Sequence, residues 1–228
     1  MARKHSQLGG MKFASLALLL LPALQAGTYT EFGDAGQTLS TAQVTGGFPQ
    51  ETPLTHIVGT LGPGQADIFL IRLTGGQTFS ATTVSSSSNF FDTQLFLFDS
   101  NGRGVYANDD DPDSPPQSTL PASDILTPVF PGLYYLAISG SGFLPQSAAG
   151  LIFPSTAIPG LLDSGVVGPT GPGGAQTLSG WSSTSSEAGA YDILLTGAEF
   201  AAPEPSTAFF LSGGIALVAL RRRLATKG

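Results

Sequence analysis

The chain of 228 residues contains no cysteine and only two histidines. Without cysteine it can form no disulfide, no thiolate nucleophile and no cysteine-based zinc site. His5 lies in an N-terminal segment that we expect to be removed, so His56 is the only imidazole in the rest of the chain. A serine nucleophile needs such a base, and no serine lies in a Gly-x-Ser-x-Gly motif. We therefore expect a non-enzymatic protein, although the residue types leave open a glycosidase, which needs only two carboxylates.

Basic residues are almost absent from the middle of the chain. Between residues 27 and 202 there are two, Arg72 and Arg103, against fifteen acidic residues. Such a charge balance disfavours nucleic acid and anionic lipid as partners. Metal cations and neutral glycans are better suited to it.

Long helical patterns are also lacking. Charged residues make up 11% of the chain, whereas glycine occurs 30 times and proline 17 times. This composition is typical of short strands joined by turns. Fifteen phenylalanines supply apolar area for a core, and the length suits a single domain. We expect an all-β domain that is held together by packing alone.

Residues 1–26 have the pattern of a secretory signal peptide. Basic residues precede an apolar run at 13–21, and Ala26 ends a cleavage site for signal peptidase. Met11 is an alternative start, because the residues that follow it form a complete signal on their own. The pattern predicts export.

The C-terminal tail, residues 203–228, combines a proline-rich breaker, an apolar run at 208–220 and a basic end. The breaker consists of Pro203, Glu204, Pro205 and Ser206, and the basic end of Arg221, Arg222 and Arg223. A helix over the apolar run is about 20 Å long, against a hydrocarbon core of about 30 Å. The arginines keep its end in the cytoplasm. So short a transmembrane helix predicts only transient anchoring in the inner membrane.

This arrangement resembles the PEP-CTERM sorting signal of Gram-negative bacteria, which an exosortase recognises in the membrane. The resemblance implies that the chain is processed there and reaches the outer surface or the extracellular matrix. It also implies a link to exopolysaccharide, which PEP-CTERM proteins often accompany. The alternative is a plain C-terminal membrane anchor.

The middle of the chain predicts a series of strands. Residues 27–53 are polar and rich in turns, and we expect a leader that lies over the domain. Strands are expected at 54–61, 67–73, 77–84, 125–130, 133–138 and 191–197. A hairpin is expected at 91–106, because Asn101-Gly102 suits its turn.

Several features in this order resemble the bacterial pre-peptidase C-terminal domain. They are a strand that opens with Asp67, the hairpin that begins at Phe91, the loop Asn108-Asp109-Asp110, the segment 131–135 and the closing strand. The resemblance implies an antiparallel β-sandwich of jelly-roll type over residues 54–200, flanked by the signal helix and the C-terminal hydrophobic helix. It also implies an accessory or binding module rather than a catalytic one.

Residues 139–190 depart from that pattern. This insertion is rich in glycine, serine and proline, and it is longer than a compact domain normally leaves without structure. Apolar residues at 151–153 and 161–162, together with Trp181, predict that it packs onto the sandwich.

The acidic run that follows residue 108 is the best candidate for a metal site. Asp109, Asp111 and Asp113 alternate along the chain, and dense carboxylates without basic partners favour a divalent cation. The candidate calcium ligands are Asp92, Asp99, Asp109, Asp110, Asp111 and Asp113. An EF-hand is excluded, because the glycine and the bidentate glutamate of its loop are missing. The alternative is a solvated acidic loop that keeps the domain soluble.

Aromatic residues offer a candidate glycan contact. Trp181 and the pair Tyr134-Tyr135 could form a platform on which a sugar stacks. The alternative is structural, because neighbouring residues of a strand point to opposite faces and Trp181 can hold the insertion in place.

These patterns together predict an exported, non-enzymatic envelope or matrix protein with a structural or adhesive role in a biofilm. The first alternative is a glycan- or ice-surface-binding protein, which would require a flat face of threonines at alternate strand positions. The second is a secreted polysaccharide hydrolase.

Overall fold

The computed structural model describes residues 27–47, 52–84, 91–154, 165–182 and 185–203. The predicted signal peptide and the predicted sorting tail after Pro203 lie outside these residues. All the regular secondary structure in these residues is β-strand, which confirms the expectation of an all-β fold for this part of the chain. The same residues include no helix with the length and apolar character that crossing a membrane requires.

The strands are short and follow one another closely along the chain. In chain order they are β1 (Gly27–Thr30), β2 (Gln43–Val44), β3 (Gly46–Gly47), β4 (Leu54–Leu61), β5 (Ala66–Leu73), β6 (Ser80–Thr82), β7 (Thr93–Asp99), β8 (Gly104–Asn108), β9 (Thr119–Leu120), β10 (Gly132–Gly140), β11 (Pro145–Ser147), β12 (Gly150–Leu151), β13 (Gly180–Trp181), β14 (Gly189–Thr196), β15 (Ala198–Phe200) and β16 (Ala202–Pro203).

Most of the strands belong to two large sheets. Sheet A has the order β1-β4-β14-β6-β9, and sheet B has the order β15-β5-β10-β7-β8, with β2 also paired to β5. Ile57 and Ile193 of sheet A share one hydrophobic cluster with Phe69 and Leu136 of sheet B. The two sheets therefore pack on each other across a common core.

The sheets are mixed rather than wholly antiparallel, which corrects part of the expectation. β1 pairs with β4, β2 with β5 and β3 with β16 in parallel. All three pairs use residues 27–47: β1 lies at the edge of sheet A, β2 pairs with β5 of sheet B, and β3 forms a separate two-stranded sheet with β16. Parallel neighbours require a long connection, so local alternation does not reveal them.

A second core lies on the outer side of sheet B. Leu95, Phe96, Leu97 and Phe98 of β7 are all buried, as is typical of a strand that is covered on both faces. Leu95 and Leu97 belong to the core between the sheets, whereas Phe96 and Phe98 pack in another cluster with Phe153. The described parts of the insertion thus cover sheet B, as expected, and β12-β11-β13 form a small sheet there.

The strand expected at 125–130 is wrong. Asp124 Oδ1 accepts a hydrogen bond from the N–H of Leu126 at 2.8 Å, and the N–H of Thr127 donates to the Asp124 carbonyl at 3.1 Å. Pro128 has no N–H to add to a strand ladder. Local hydrogen bonds from a side chain to the backbone therefore form a turn in place of a strand.

The register of sheet B brings several strand ends to one end of the molecule. Asp67, near the start of β5, lies in register with Ile138 of β10. Ile138 pairs with Leu95 near the start of β7, and Leu95 pairs with Asn108 at the end of β8. Acidic residues next to the start of β5, the start of β7 or the end of β8 therefore lie at the same end of sheet B.

Candidate metal centres

The first group of converging carboxylates consists of Glu31, Asp34 and Asp67, which we call the N-terminal acidic cluster. One carboxylate oxygen of each residue lies within 4.8 Å of those of the other two. Glu31 directly follows β1, Asp34 lies in the loop after it, and Asp67 belongs to β5. The pairing of β1 with β4 thus carries two acidic residues of the N-terminal segment to the start of β5.

Main-chain N–H groups orient two of these carboxylates. Glu31 accepts hydrogen bonds from the N–H of Thr60 at 2.8 Å and from the N–H of Ala35 at 2.9 Å. Asp34 Oδ1 accepts one from the N–H of Gly36 at 2.7 Å. Each carboxylate oxygen has further lone pairs, so these bonds leave room for a metal ion.

Asp67 is the unusual member of the cluster, because only 1% of its surface is exposed. Its Oδ2 and the hydroxyl of Tyr191 are buried next to each other, but neither atom makes a hydrogen bond of ordinary geometry with a described residue. Burial raises the pKa of Asp67 to about 7; the charge of Glu31 adds to the rise, and the nearby Tyr191 hydroxyl opposes it. Burial also raises the pKa of Tyr191, and the charge of Asp67 adds to that rise. An ionised, unpaired carboxylate in the interior is costly, so this group needs a proton or a cation.

The backbone of β4 leaves space for the cluster at a glycine. A Cβ at Gly59 would overlap Oε2 of Glu31 and the hydroxyl of Tyr191. A cleft of about 400 Å³ opens beside these groups, and its walls include Thr30, Thr60 and Asp192. Glu31 and Tyr191 line this cleft, so solvent reaches that side of the cluster.

The second group consists of Asp92, Asp109 and Asp110, which we call the loop acidic cluster. One carboxylate oxygen of each again lies within 4.8 Å of those of the other two. Asp92 precedes β7 and the two others follow β8, so the hairpin brings them together. Burial raises the pKa of Asp92 to about 7, with further contributions from the charges of Asp109, Asp110 and Glu187.

A buried hydroxyl network supports the loop that carries Asp109 and Asp110. Ser118 is fully buried, and its hydroxyl donates to the carbonyl of Asp109 at 2.6 Å. It also contacts the Thr93 carbonyl, and its N–H donates to Oγ1 of Thr83 at 2.9 Å. The loop is therefore connected to β7 and to the segment that follows β6.

The structure brings together three of the six aspartates that the sequence nominated. Asp99 lies at the other end of β7, where its Oδ1 accepts the N–H groups of Asn101 at 2.8 Å and Arg103 at 2.9 Å. Asp111 Oδ1 accepts the N–H of Asp113 at 2.9 Å. The acidic run therefore turns back on itself and does not aim alternate carboxylates at one point.

The described basic side chains, His56, Arg72 and Arg103, are not members of either cluster. His56 Nδ1 lies 3.0 Å from Oδ1 of Asp192, with which it shares a hydrogen bond. Arg72 lies near the far end of β5, and Arg103 lies beside the hairpin turn. Both donor sets consist of oxygen, which fits Ca²⁺ better than a transition metal.

Trp181 is held by contacts on several sides. Its ring stacks on Phe143 with centroids 5.5 Å apart, and it meets Phe96 edge-on at 5.6 Å. Its Nε1 donates a hydrogen bond to the carbonyl of Gln37 at 2.8 Å. Tyr134 packs against the core between the sheets and Tyr135 against the outer core, so the pair points to opposite faces. These contacts anchor the insertion and the N-terminal segment.

Sequence reasoning missed the N-terminal acidic cluster. Glu31 and Asp34 lie in a polar segment without periodicity, and their contact with Asp67 spans more than 30 residues of chain. One signal was available, because Asp67 opens an otherwise apolar strand. A buried acid at such a position is rare without a partner.

Comparison with known proteins gives no relative: no protein-family model, no curated protein and no solved structure matches this chain. The described residues form an all-β fold with two clusters of carboxylates at one end of its sheets. The two resemblances given above stay predictions from the residues quoted for them.

Proposed function

We propose that this chain is an exported, non-enzymatic β-sandwich protein that binds Ca²⁺ at the N-terminal acidic cluster. Its role is structural or adhesive, in the envelope or the extracellular matrix. The observation that carries the proposal is Asp67, which is 1% exposed and has a buried carboxylate oxygen that makes no hydrogen bond of ordinary geometry with a described residue. A divalent cation would satisfy that oxygen.

Repulsion within the cluster favours an ion. The carboxylate oxygens lie within 4.8 Å of one another. Two unit charges at such a distance repel each other by roughly 3 kcal/mol at an effective dielectric constant of about 20, and solvent at the exposed Asp34 reduces this. Ca²⁺ removes the repulsion and takes six to eight oxygen ligands, which carboxylates, the Tyr191 hydroxyl and water can supply.

The ion would fasten the N-terminal segment to the domain. Glu31 and Asp34 belong to this segment, whereas Asp67 belongs to β5. A metal that binds only the folded chain adds its binding free energy to the stability of the folded state, and hence to this attachment. The chain has no cysteine, so a metal is the available means.

A jelly-roll topology is part of the proposal. It is supported by the orders β4-β14-β6-β9 and β5-β10-β7-β8 in the two sheets. Strands that follow each other in the chain mostly fall in opposite sheets, as two Greek keys require. Such a fold suits a module that binds or assembles.

Export and sorting rest on the terminal sequences. Signal peptidase would act after Ala26, and an exosortase would act at Pro203, Glu204 and Pro205 in the inner membrane of a Gram-negative bacterium. Pro203 ends β16, so the described domain extends to the first residue of the motif. The mature protein is proposed to lie in a matrix of exopolysaccharide.

Glycan binding is a second candidate function, and the cleft beside the cluster favours it. Its volume of about 400 Å³ falls in the range of small-molecule sites. Thr30, Thr60 and Asp192 can hydrogen-bond to sugar hydroxyls there. Calorimetric titration with neutral oligosaccharides tests this candidate, and binding that survives Thr60→Val would exclude the cleft.

Thermal unfolding of the full chain tests the calcium proposal. With Ca²⁺ at a hundredfold over Kd, a bound ion adds about 2.7 kcal/mol, which raises Tm by roughly 5 to 10 °C over EDTA. Asp67→Asn should lose much of this rise, whereas Asp113→Asn, an exposed aspartate outside both clusters, should keep it. An equal rise in the wild type and in Asp67→Asn would refute the proposal.

A further inference from the structure

We infer that a second divalent cation binds at the loop acidic cluster, with the side-chain oxygen of Gln94 as an additional ligand. The class of ion is a hard, oxygen-seeking cation such as Ca²⁺. This site goes beyond the proposed function, because it lies on the outer side of sheet B and shares no residue with the N-terminal acidic cluster.

The hairpin of β7 and β8 builds the cluster. Asp92 directly precedes β7, and Asp109 and Asp110 directly follow β8. The antiparallel register pairs Leu95 with Asn108, so the two ends lie side by side. The carboxylate oxygens of the three aspartates come within 4.8 Å of one another.

Gln94 provides an independent observation. It is 1% exposed, and its Oε1 is buried and makes no hydrogen bond with any described residue. Gln94 and Asp92 are two residues apart on an extended chain, so their side chains lie on the same side. Gln94 and Asp109 line a common void of about 10 Å³, close to the volume that one water or ion needs.

Two further oxygens nearby also lack partners among the described residues. Oδ1 of Asp92 is buried and accepts no hydrogen bond, and Oε1 of Gln117 is in the same state. Nε2 of Gln117 donates to the carbonyl of Phe91 at 3.1 Å, which places this amide next to Asp92. Amide and carboxylate oxygens are the ligands that Ca²⁺ prefers. Buried polar atoms without partners are rare, so several of them around carboxylates favour the binding of a cation.

The ion would also order the end of the insertion. Glu187 Oε2 accepts the N–H of Asp92 at 3.3 Å, and the N–H of Ser141 donates to the Asp92 carbonyl at 3.0 Å. A Cβ at Gly140 would overlap the side chains of Glu187 and Ser185, so the glycine lets this segment lie against β10. Both ends of the insertion therefore meet at Asp92, and a cation bound there holds them together.

Isothermal titration of the full chain with CaCl₂ tests the inference. We expect two bound ions in the wild type. The double variant Asp109→Asn with Asp110→Asn should bind one, and Asp113→Asn in the same acidic run should bind two. Gln94→Met should weaken one of the two sites by about tenfold and leave the other unchanged.

The first site has its own variant, so the two proposals fail separately. Asp67→Asn should also leave one ion, now at the loop acidic cluster. One ion in the wild type that only Asp67→Asn removes would overturn the second site and keep the first. If the wild type binds one ion and only the double variant Asp109→Asn with Asp110→Asn loses it, the second site is supported and the first is refuted. Urea denaturation in EDTA checks that each variant is folded. If the folded double variant still binds two ions, the inference is overturned.

Discussion

Lowering the pH should stabilise this protein when calcium is absent, because Asp67 binds a proton more tightly in the folded chain than in the unfolded one. Burial raises its pKa to about 7, against about 3.9 for an unfolded aspartate. Ionised Asp67 therefore costs folding free energy above pH 7, and the cost disappears as the pH falls towards about 4. Between pH 8 and pH 5.5 the free energy of unfolding should rise by about 2 kcal/mol through this group alone.

Urea denaturation in EDTA at these two pH values measures the effect. Asp67→Asn has no proton to gain at this position. On acidification its free energy of unfolding should therefore rise by about 2 kcal/mol less than that of the wild type. Asp113→Asn should retain the full rise. Asp92, with its pKa raised to about 7, contributes in the same direction, reduced by its partial exposure.

Calcium should reduce the pH effect, because a bound cation replaces the proton. The rise on acidification should therefore be smaller in saturating Ca²⁺ than in EDTA. Two results would refute the reasoning: a stability in EDTA that falls between pH 8 and pH 5.5, or an equal rise in the wild type and in Asp67→Asn.

Three other changes have definite expected outcomes. Gly59→Ala places a methyl group against Glu31 and Tyr191 and should lower the free energy of unfolding, measured in urea, by about 1 to 3 kcal/mol. Gly180→Ala is the control, because its methyl group meets no atom within 4 Å. An equal loss of stability in both variants would count against the close approach at Gly59. Ser118→Ala removes the donor to the Asp109 carbonyl and should cost about 1 to 3 kcal/mol; an unchanged urea midpoint would show that the hydroxyl network does not hold the loop. Replacing Pro203, Glu204 and Pro205 by alanine should leave unprocessed precursor in the inner membrane, as seen by immunoblotting of membrane fractions; normal processing would refute the sorting role.

The sequence was sufficient to predict the strands whose signals are local. β4 was expected at 54–61 and lies at Leu54–Leu61, and the hairpin turn falls at Asn101-Gly102, where Gly102 has a φ of 77°. Alternation of apolar residues and turn chemistry depend on neighbours in the chain, so they can be recognised without a structure.

The parts that the sequence did not predict depend on distant contacts. Strands β1, β2 and β3 are two to four residues long, and their partners lie elsewhere in the chain, so the sequence predicts only a turn-rich leader over the domain at 27–53. Asp92 is among the calcium ligands predicted from the sequence, but the role proposed for Gln94 depends on what covers β7. A side chain that is buried without a partner is visible only in three dimensions.

A crystal structure of the protein grown with Ca²⁺ tests the central claim most directly. The proposal predicts an ion at the N-terminal acidic cluster, at about 2.3 to 2.6 Å from oxygens of Asp67, Glu31 and Asp34. A structure at saturating Ca²⁺ in which Asp67 Oδ2 is bonded to the Tyr191 hydroxyl or to water, with no ion among the three carboxylates, would contradict it.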